Sequence, residues 1–201
     1  MKLTKIILGI VLLCICVPVS AQLTPAQEKE AIKMAKKEAK KLIKEGWMVP
    51  SGELPIEKQL IQSYMMSMEK DEDNQPKYVF GQAISGGDFY DAAKLQASES
   101  AKANLIGNLS TDMTRLIDMQ LQNQQKSAKS ATSLSKITAK SKSLMSQKLG
   151  ALTPVVEIYR NVSEESVEVQ LRVAYERAVG VKQSLDLISK DLEDEGINLA
   201  E

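Results

Sequence analysis

The sequence predicts an α+β fold, an antiparallel sheet of about four strands with helices packed on one face, plus extra N-terminal helices. Three observations predict it. Val167, Val169, Leu171, Val173 and Tyr175 alternate with Glu168, Gln170 and Arg172, a period of two that marks a strand with one buried face. The preceding run from Val155 to Val162 is also rich in β-branched residues, and the polar residues 161–166 between the two runs make them an antiparallel hairpin. Phe89, Ala93, Ala97, Ala101, Leu105 and Leu109 recur almost unbroken every four residues. The small alanines on that line let a helix axis come close to a sheet.

The chain opens differently from the rest. Lys2 and Lys5 precede the apolar run Ile6 to Val17, and Val19-Ser20-Ala21 supplies small residues at a cleavage position. This is the pattern of a secretory signal peptide over 1–21, with Gln22 starting the exported chain. The apolar run is too short to span a bilayer. Cys14 and Cys16 follow the large residues Leu13 and Ile15, where a lipid-attachment signal has a small one, so export without a lipid anchor is expected. Residues 22–201 read as one α+β domain: a helical extension over 22–75, a helix–strand–hairpin core over 76–176 and a C-terminal helix over 177–201.

Thr24-Pro25-Ala26-Gln27 has the form of a helix start, with a capping threonine, an early proline and a glutamine three residues on. Ile32, Ala35, Ala39 and Leu42 follow at helical spacing, and Gly46 ends the run. Lys29, Lys33, Lys36, Lys37, Lys40, Lys41 and Lys44 form the opposite, solvated face. Trp47-Met48-Val49 before Pro50 reads as a short edge strand. A second helix starts at Pro55, with Leu60, Ile61, Tyr64, Met65 and Met68 facing the core. Residues 78–84 are apolar on both alternating sides and read as a central strand.

Residues 109–121 fit two readings. Leu109, Thr111, Met113, Ile117, Met119 and Leu121 alternate with polar residues as in a strand, while Leu105, Leu109, Met113 and Leu116 continue a helix. The strand is preferred, because Asn108 and Ser110-Thr111 are poor helix formers. Residues 122–148 carry many serines and lysines and no acid, and fit either a poorly amphipathic helix ending at Gly150 or a loop plus one helix. Ala178, Val181, Leu185, Ile188 and Leu192 describe a final helix ended by Gly196. Its end, residues 191–195, is acidic, the unfavourable sign for a helix C-terminus, so fraying or a basic partner is expected there.

Composition narrows the function. The 201 residues are 43% hydrophobic and 26% charged, which is globular. There is no histidine, hence neither the commonest general base nor the commonest metal ligand. Once the two signal lysines are removed, 24 basic residues face 26 acidic ones, a net charge of −2. Such a chain has no global field for polyanions. Both cysteines lie in the signal, so the exported portion has no disulfide.

The stripe Ala93-Ala97-Ala101-Leu105, the alternating segment 109–121, and the run Val155–Tyr159 paired with 167–173 together carry a resemblance. In that order they resemble the small bacterial envelope lipoprotein family whose unit is also found at the amino end of flagellar assembly protein T, and exported proteins of gut-type anaerobes. The resemblance covers roughly the second half of the chain. It implies association with the envelope and brings no common enzymatic activity.

Candidate chemistry is sparse. Gly86-Gly87-Asp88 lacks the lysine and glycine spacing of a phosphate loop and reads as a turn capped by Asp88. Asp88 and Asp91 are first-turn acids that favour the helix dipole. Ser133 and Lys136 have the S-x-x-K spacing of a serine–lysine hydrolase without its companion motifs. The Lys126–Lys148 tract has no aromatic residue to stack on bases, and nucleic acid is not expected as a partner. Met65, Met66 and Met68 read as core filler. Trp47, beside a proline-flanked short strand, is expected half exposed, and it forms a candidate partner surface together with Lys129, Lys136, Lys140 and Lys142.

The function expected is that of a non-catalytic, exported binding or scaffolding protein, periplasmic or secreted, or outer-membrane associated. It would present helix faces or a sheet edge to a protein or envelope component, with no catalytic residue, cofactor or metal. A carrier of a small apolar ligand or lipid, with its pocket between residues 89–109 and the sheet, is the alternative. A serine–lysine hydrolase is the third reading.

Overall fold

The computed structural model describes residues 23–123, 129–150 and 152–194, and side chains outside 120–134. The expected signal segment 1–21, with Cys14 and Cys16, lies outside the described residues, as do the side chains of Lys129 and Ser133 and the end of the chain from residue 195. Helices α1 (Pro25–Lys44) and α2 (Ile56–Met68) precede strand β1 (Tyr78–Gly87). Helices α3 (Tyr90–Asn123) and α4 (Lys129–Lys148) follow, then the hairpin β2 (Pro154–Ser163) and β3 (Ser166–Glu176), and finally α5 (Arg177–Asp186) and α6 (Ser189–Asp194).

The described residues form a three-stranded antiparallel sheet in the order β1-β3-β2. It is smaller than the expected sheet of about four strands. Residues 109–121 are the missing strand: they continue α3 instead. Packing of Met113 and Ile117 selects the helix, and the hydroxyl residues that argued against it are accommodated within it. Ser110 Oγ donates to Ile106 O at 2.8 Å, Thr111 Oγ1 to Gly107 O at 3.0 Å and Thr114 Oγ1 to Ser110 O at 2.8 Å. Each hydroxyl spends its proton on the carbonyl one turn back, and the helix continues through them. Burial at Leu105, Leu109, Met113 and Ile117 then follows the four-residue spacing.

The alternating faces of the hairpin are both covered, whereas helices were expected on one face only. Val169, Leu171 and Val173 pack under the α3 stripe Ala93, Ala97, Ala101, Leu105 and Leu109. The intervening residues point the other way, and there Val156 and Ile158 meet Ala35, Ala39 and Leu42 of α1 with Trp47, Ile56 and Leu60. The N-terminal helices are thus the second outer layer and not an appendage. Each fully buried Leu or Val on these faces contributes about 1.5–3 kcal/mol.

Glycine sets how closely α3 sits. A Cβ on Gly81 would lie 2.7 Å from Leu105 N, and one on Gly87 would lie 2.7 Å from Ala93 N. Phe89, expected at the head of the buried stripe, is 60% exposed, because it precedes the first helical residue and does not share the helix's face. Asp88 is likewise one residue too early to be the cap of α3.

Both outer edges of the sheet are occupied. Asn104 and Asn108 of α3 donate from Nδ2 to Gln82 O at 2.8 Å and Phe80 O at 2.9 Å on β1. On β2, Glu157 N–H donates to Gln59 Oε1 at 2.7 Å. The expected strand at 47–49 is reduced to one bridge, in which Met48 and Tyr159 exchange N–H···O bonds of 2.7 and 2.9 Å. These contacts satisfy backbone groups that would otherwise template pairing with another strand.

The two ends of α1 behave as read. Thr24 and Gln27 form a reciprocal capping box, and Gly46 follows α1 at φ +85°. The seven lysines of α1 are exposed. In α2 the buried stripe is Ile56, Gln59, Leu60 and Ser63, with Tyr64 and the three methionines half-buried. The expected single C-terminal helix is two, α5 and α6, broken at Leu187-Ile188.

Candidate functional site

Beyond Leu109, α3 outruns the sheet. Met113 and Ile117 turn to Ile137 of α4, to Ile188 in the break after α5 and to Leu192 of α6, forming a third core that contains no strand residue. On the other side of the α3–α4 seam lies an open groove of about 610 Å³. Its walls are Gly107, Ser110, Thr111, Thr114, Arg115, Asp118 and Met119 from α3, with Thr138 and Lys142 from α4. These α3 positions recur at three- and four-residue intervals, so one helix face supplies them all.

The polarity of this groove follows from its hydrogen bonds. Thr114 Oγ1 and Thr138 Oγ1 are 3.1 Å apart across the seam. The Thr114 proton goes to Ser110 O, so Thr114 meets Thr138 through its oxygen lone pairs. Ser110, Thr111 and Thr114 have their protons engaged by carbonyls of their own helix and are left with oxygen lone pairs. The donors are cationic: Arg115 and Lys142 are exposed. Lys142 lies across α3 where Gly107 has no side chain, its Nζ 3.8 Å from where a Cβ would stand. Asp118 adds a carboxylate and Met119, 55% exposed, an apolar end.

Of the residues singled out from the sequence, the side chain of Lys129 lies outside the described residues, and Trp47 is buried away from the surface. Trp47 is only 4% exposed, against the expectation of a half-exposed ring. It packs in the layer of α1 and α2, with the Arg160 guanidinium 4.8 Å above its ring. Arg160 is held there by Glu168, at 2.7 and 2.8 Å. Lys140 is paired with Asp191 of α6 at 2.7 Å, which supplies the basic partner expected for the acidic C-terminal segment. Lys136 is exposed one turn before it, and of the three lysines whose side chains are described Lys142 alone lines the groove. The hydrolase pairing of Ser133 with Lys136 has its serine side chain outside the described residues.

A second polar constellation was not legible in advance. Tyr90 donates its hydroxyl to the Glu157 carboxylate, Lys94 Nζ sits 2.6 Å from the same oxygen, and the Tyr90 and Tyr159 rings meet edge-on at 5.3 Å. Burial, then the hydrogen bond to Glu157 and its charge, push the Tyr90 phenol far above its ordinary range. Glu157 is 7% exposed and its Oε1 takes both partners, so the cluster fastens the start of α3 to β2. The available signal was a lone acid, Glu157, inside an apolar strand, with Tyr90 and Lys94 one helical turn apart. On the other face, Arg172 binds Gln82 and Ser63 at 3.0 Å each and Glu38 at 3.4 Å. The Tyr64 phenol is raised by burial and by Glu38, which accepts its hydroxyl at 2.5 Å. That network ties α1, α2 and the sheet together.

The fold and its groove define an α+β protein of three layers, helices on both faces of a small antiparallel sheet, with a polar cleft between two helices that overhang it. No family model, curated protein or solved structure matches this chain. Among the described residues no helix is long and apolar enough to cross a membrane.

Proposed function

We propose that this chain is an exported, non-catalytic binding or scaffolding protein of the cell envelope, and that it holds its partner in the groove between α3 and α4. The observation that carries the reading is the position of the Lys142 ammonium over Gly107, beside Arg115 and a row of hydroxyl oxygens. Donors and acceptors converge there on one concave surface, which is how a binding site fixes orientation. The charged, apolar and small-residue pattern of 1–21 supports export, and the resemblance to envelope lipoproteins supports the compartment. Presentation of a sheet edge loses ground, since Asn104, Asn108, Gln59 and Met48 occupy both edges.

The lipid-carrier alternative needs a cavity between residues 89–109 and the sheet. Gly81 and Gly87 there touch the α3 backbone, which leaves that interval filled. The test of the reading is expression of the full chain in a bacterial host, with fractionation and N-terminal sequencing. A protein starting at Gln22 in the envelope or medium, whose envelope co-purification is lost in R115E/K142E, is the expected result. A cytoplasmic, uncleaved chain, or capture indifferent to the double substitution, overturns the reading.

A further inference from the structure

Resting on that reading, we infer that the α3–α4 groove takes an acidic segment of a protein, one that brings N–H donors as well as carboxylates. Among the described residues the groove has two exposed cations, Arg115 and Lys142, suited to carboxylates. Its α3 hydroxyls Ser110, Thr111 and Thr114, however, have spent their protons within the helix, and Asp118 adds a further acceptor. A ligand made only of acceptors, such as a phosphate chain or an anionic headgroup, would face those lone pairs and the Asp118 charge. An acidic polypeptide satisfies both sets, since its side-chain carboxylates reach the cations while its backbone N–H groups reach Thr111 Oγ1 and Asp118. Met119, one turn from Arg115, suits an apolar side chain next to the acid.

The chain contains a precedent for this recognition. Helix α4 has five lysines and no acid, and on its opposite flank Lys140 already binds Asp191 of the acidic helix α6 at 2.7 Å. An acidic segment from outside would repeat on the Lys142 flank what α6 does on the Lys140 flank.

The test is fluorescence anisotropy at low salt with the exported chain. The probes are a labelled dodecapeptide of repeating Glu-Leu-Asp, its Gln-Leu-Asn counterpart and polyphosphate, with flotation on phosphatidylglycerol vesicles alongside. Expected is saturable binding of the acidic peptide alone, weakened about tenfold or more in R115Q/K142Q and by added salt. D118N removes the charge but keeps an acceptor oxygen, so it should retain the peptide and admit polyphosphate. Circular dichroism establishes that each variant is folded. Absence of peptide binding, equal binding of polyphosphate or vesicles, or indifference to R115Q/K142Q overturns the inference. If the peptide fails while envelope capture remains sensitive to R115E/K142E, only the acidic-segment inference falls. If that capture is insensitive, the proposed function falls with it.

Discussion

A methyl group on Gly81 would stand 2.7 Å from the backbone nitrogen of Leu105 and closer still to the Ala101 carbonyl oxygen. Strand β1 and helix α3 thus meet backbone to backbone, and the neighbours that would have to yield are main-chain atoms. Gly81→Ala is expected to lower stability by about 1–3 kcal/mol or more, through overpacking. Urea denaturation followed by circular dichroism reads this as a lower midpoint, and an unchanged midpoint would mean that α3 does not sit so close.

Asn104 and Asn108 close the outer edge of β1 by donating to Gln82 O and Phe80 O. The paired substitution N104A/N108A leaves those carbonyls to water or to another strand. A loss of about 1 kcal/mol per bond is expected, together with concentration-dependent association in sedimentation velocity as the edge opens. A monomer of undiminished stability would contradict the edge-capping role.

Trp47 is the only tryptophan, and its ring lies beneath the Arg160 guanidinium in a buried cluster. Its emission is therefore expected to be blue-shifted and weakly quenched by acrylamide. Arg160→Ala uncovers the ring and removes a contact of about 0.5–2 kcal/mol, so quenching should rise by a measurable factor. Strong quenching of the unsubstituted protein would place Trp47 at the surface after all.

Tyr90 and Tyr64 both have raised phenol pKa values, with burial the leading cause and an adjacent glutamate the next. In the unfolded chain these phenols ionise near pH 10. The folded protein keeps the protons longer, so it binds more protons than the unfolded state above that pH. Their contribution is fully present below about pH 10 and is lost as pH rises through the higher folded values. Urea midpoints measured from pH 7 to 11 should fall above about 10, and fall less steeply in Tyr90→Phe. Identical slopes for the two proteins would remove Tyr90 from the pH dependence.

The amino-acid sequence by itself determined the hairpin, because alternating valines have one register that buries them. It also determined α1 through the Thr24 capping box, and the close helix through the alanines of 93–101. These signals are local, and a few neighbouring residues decide them. Tertiary structure alone decided the rest. Residues 109–121 satisfied both periods, and packing of Met113 and Ile117 against Ile137 and Ile188 selected the helix. Trp47 was to be half exposed until Arg160, 113 positions away in the chain, folded over it. The two faces of the sheet, the capped edges and the groove between Arg115 and Lys142 each join residues far apart in sequence. No window of the chain contains both sides of such a contact, and only the folded molecule brings them within reach.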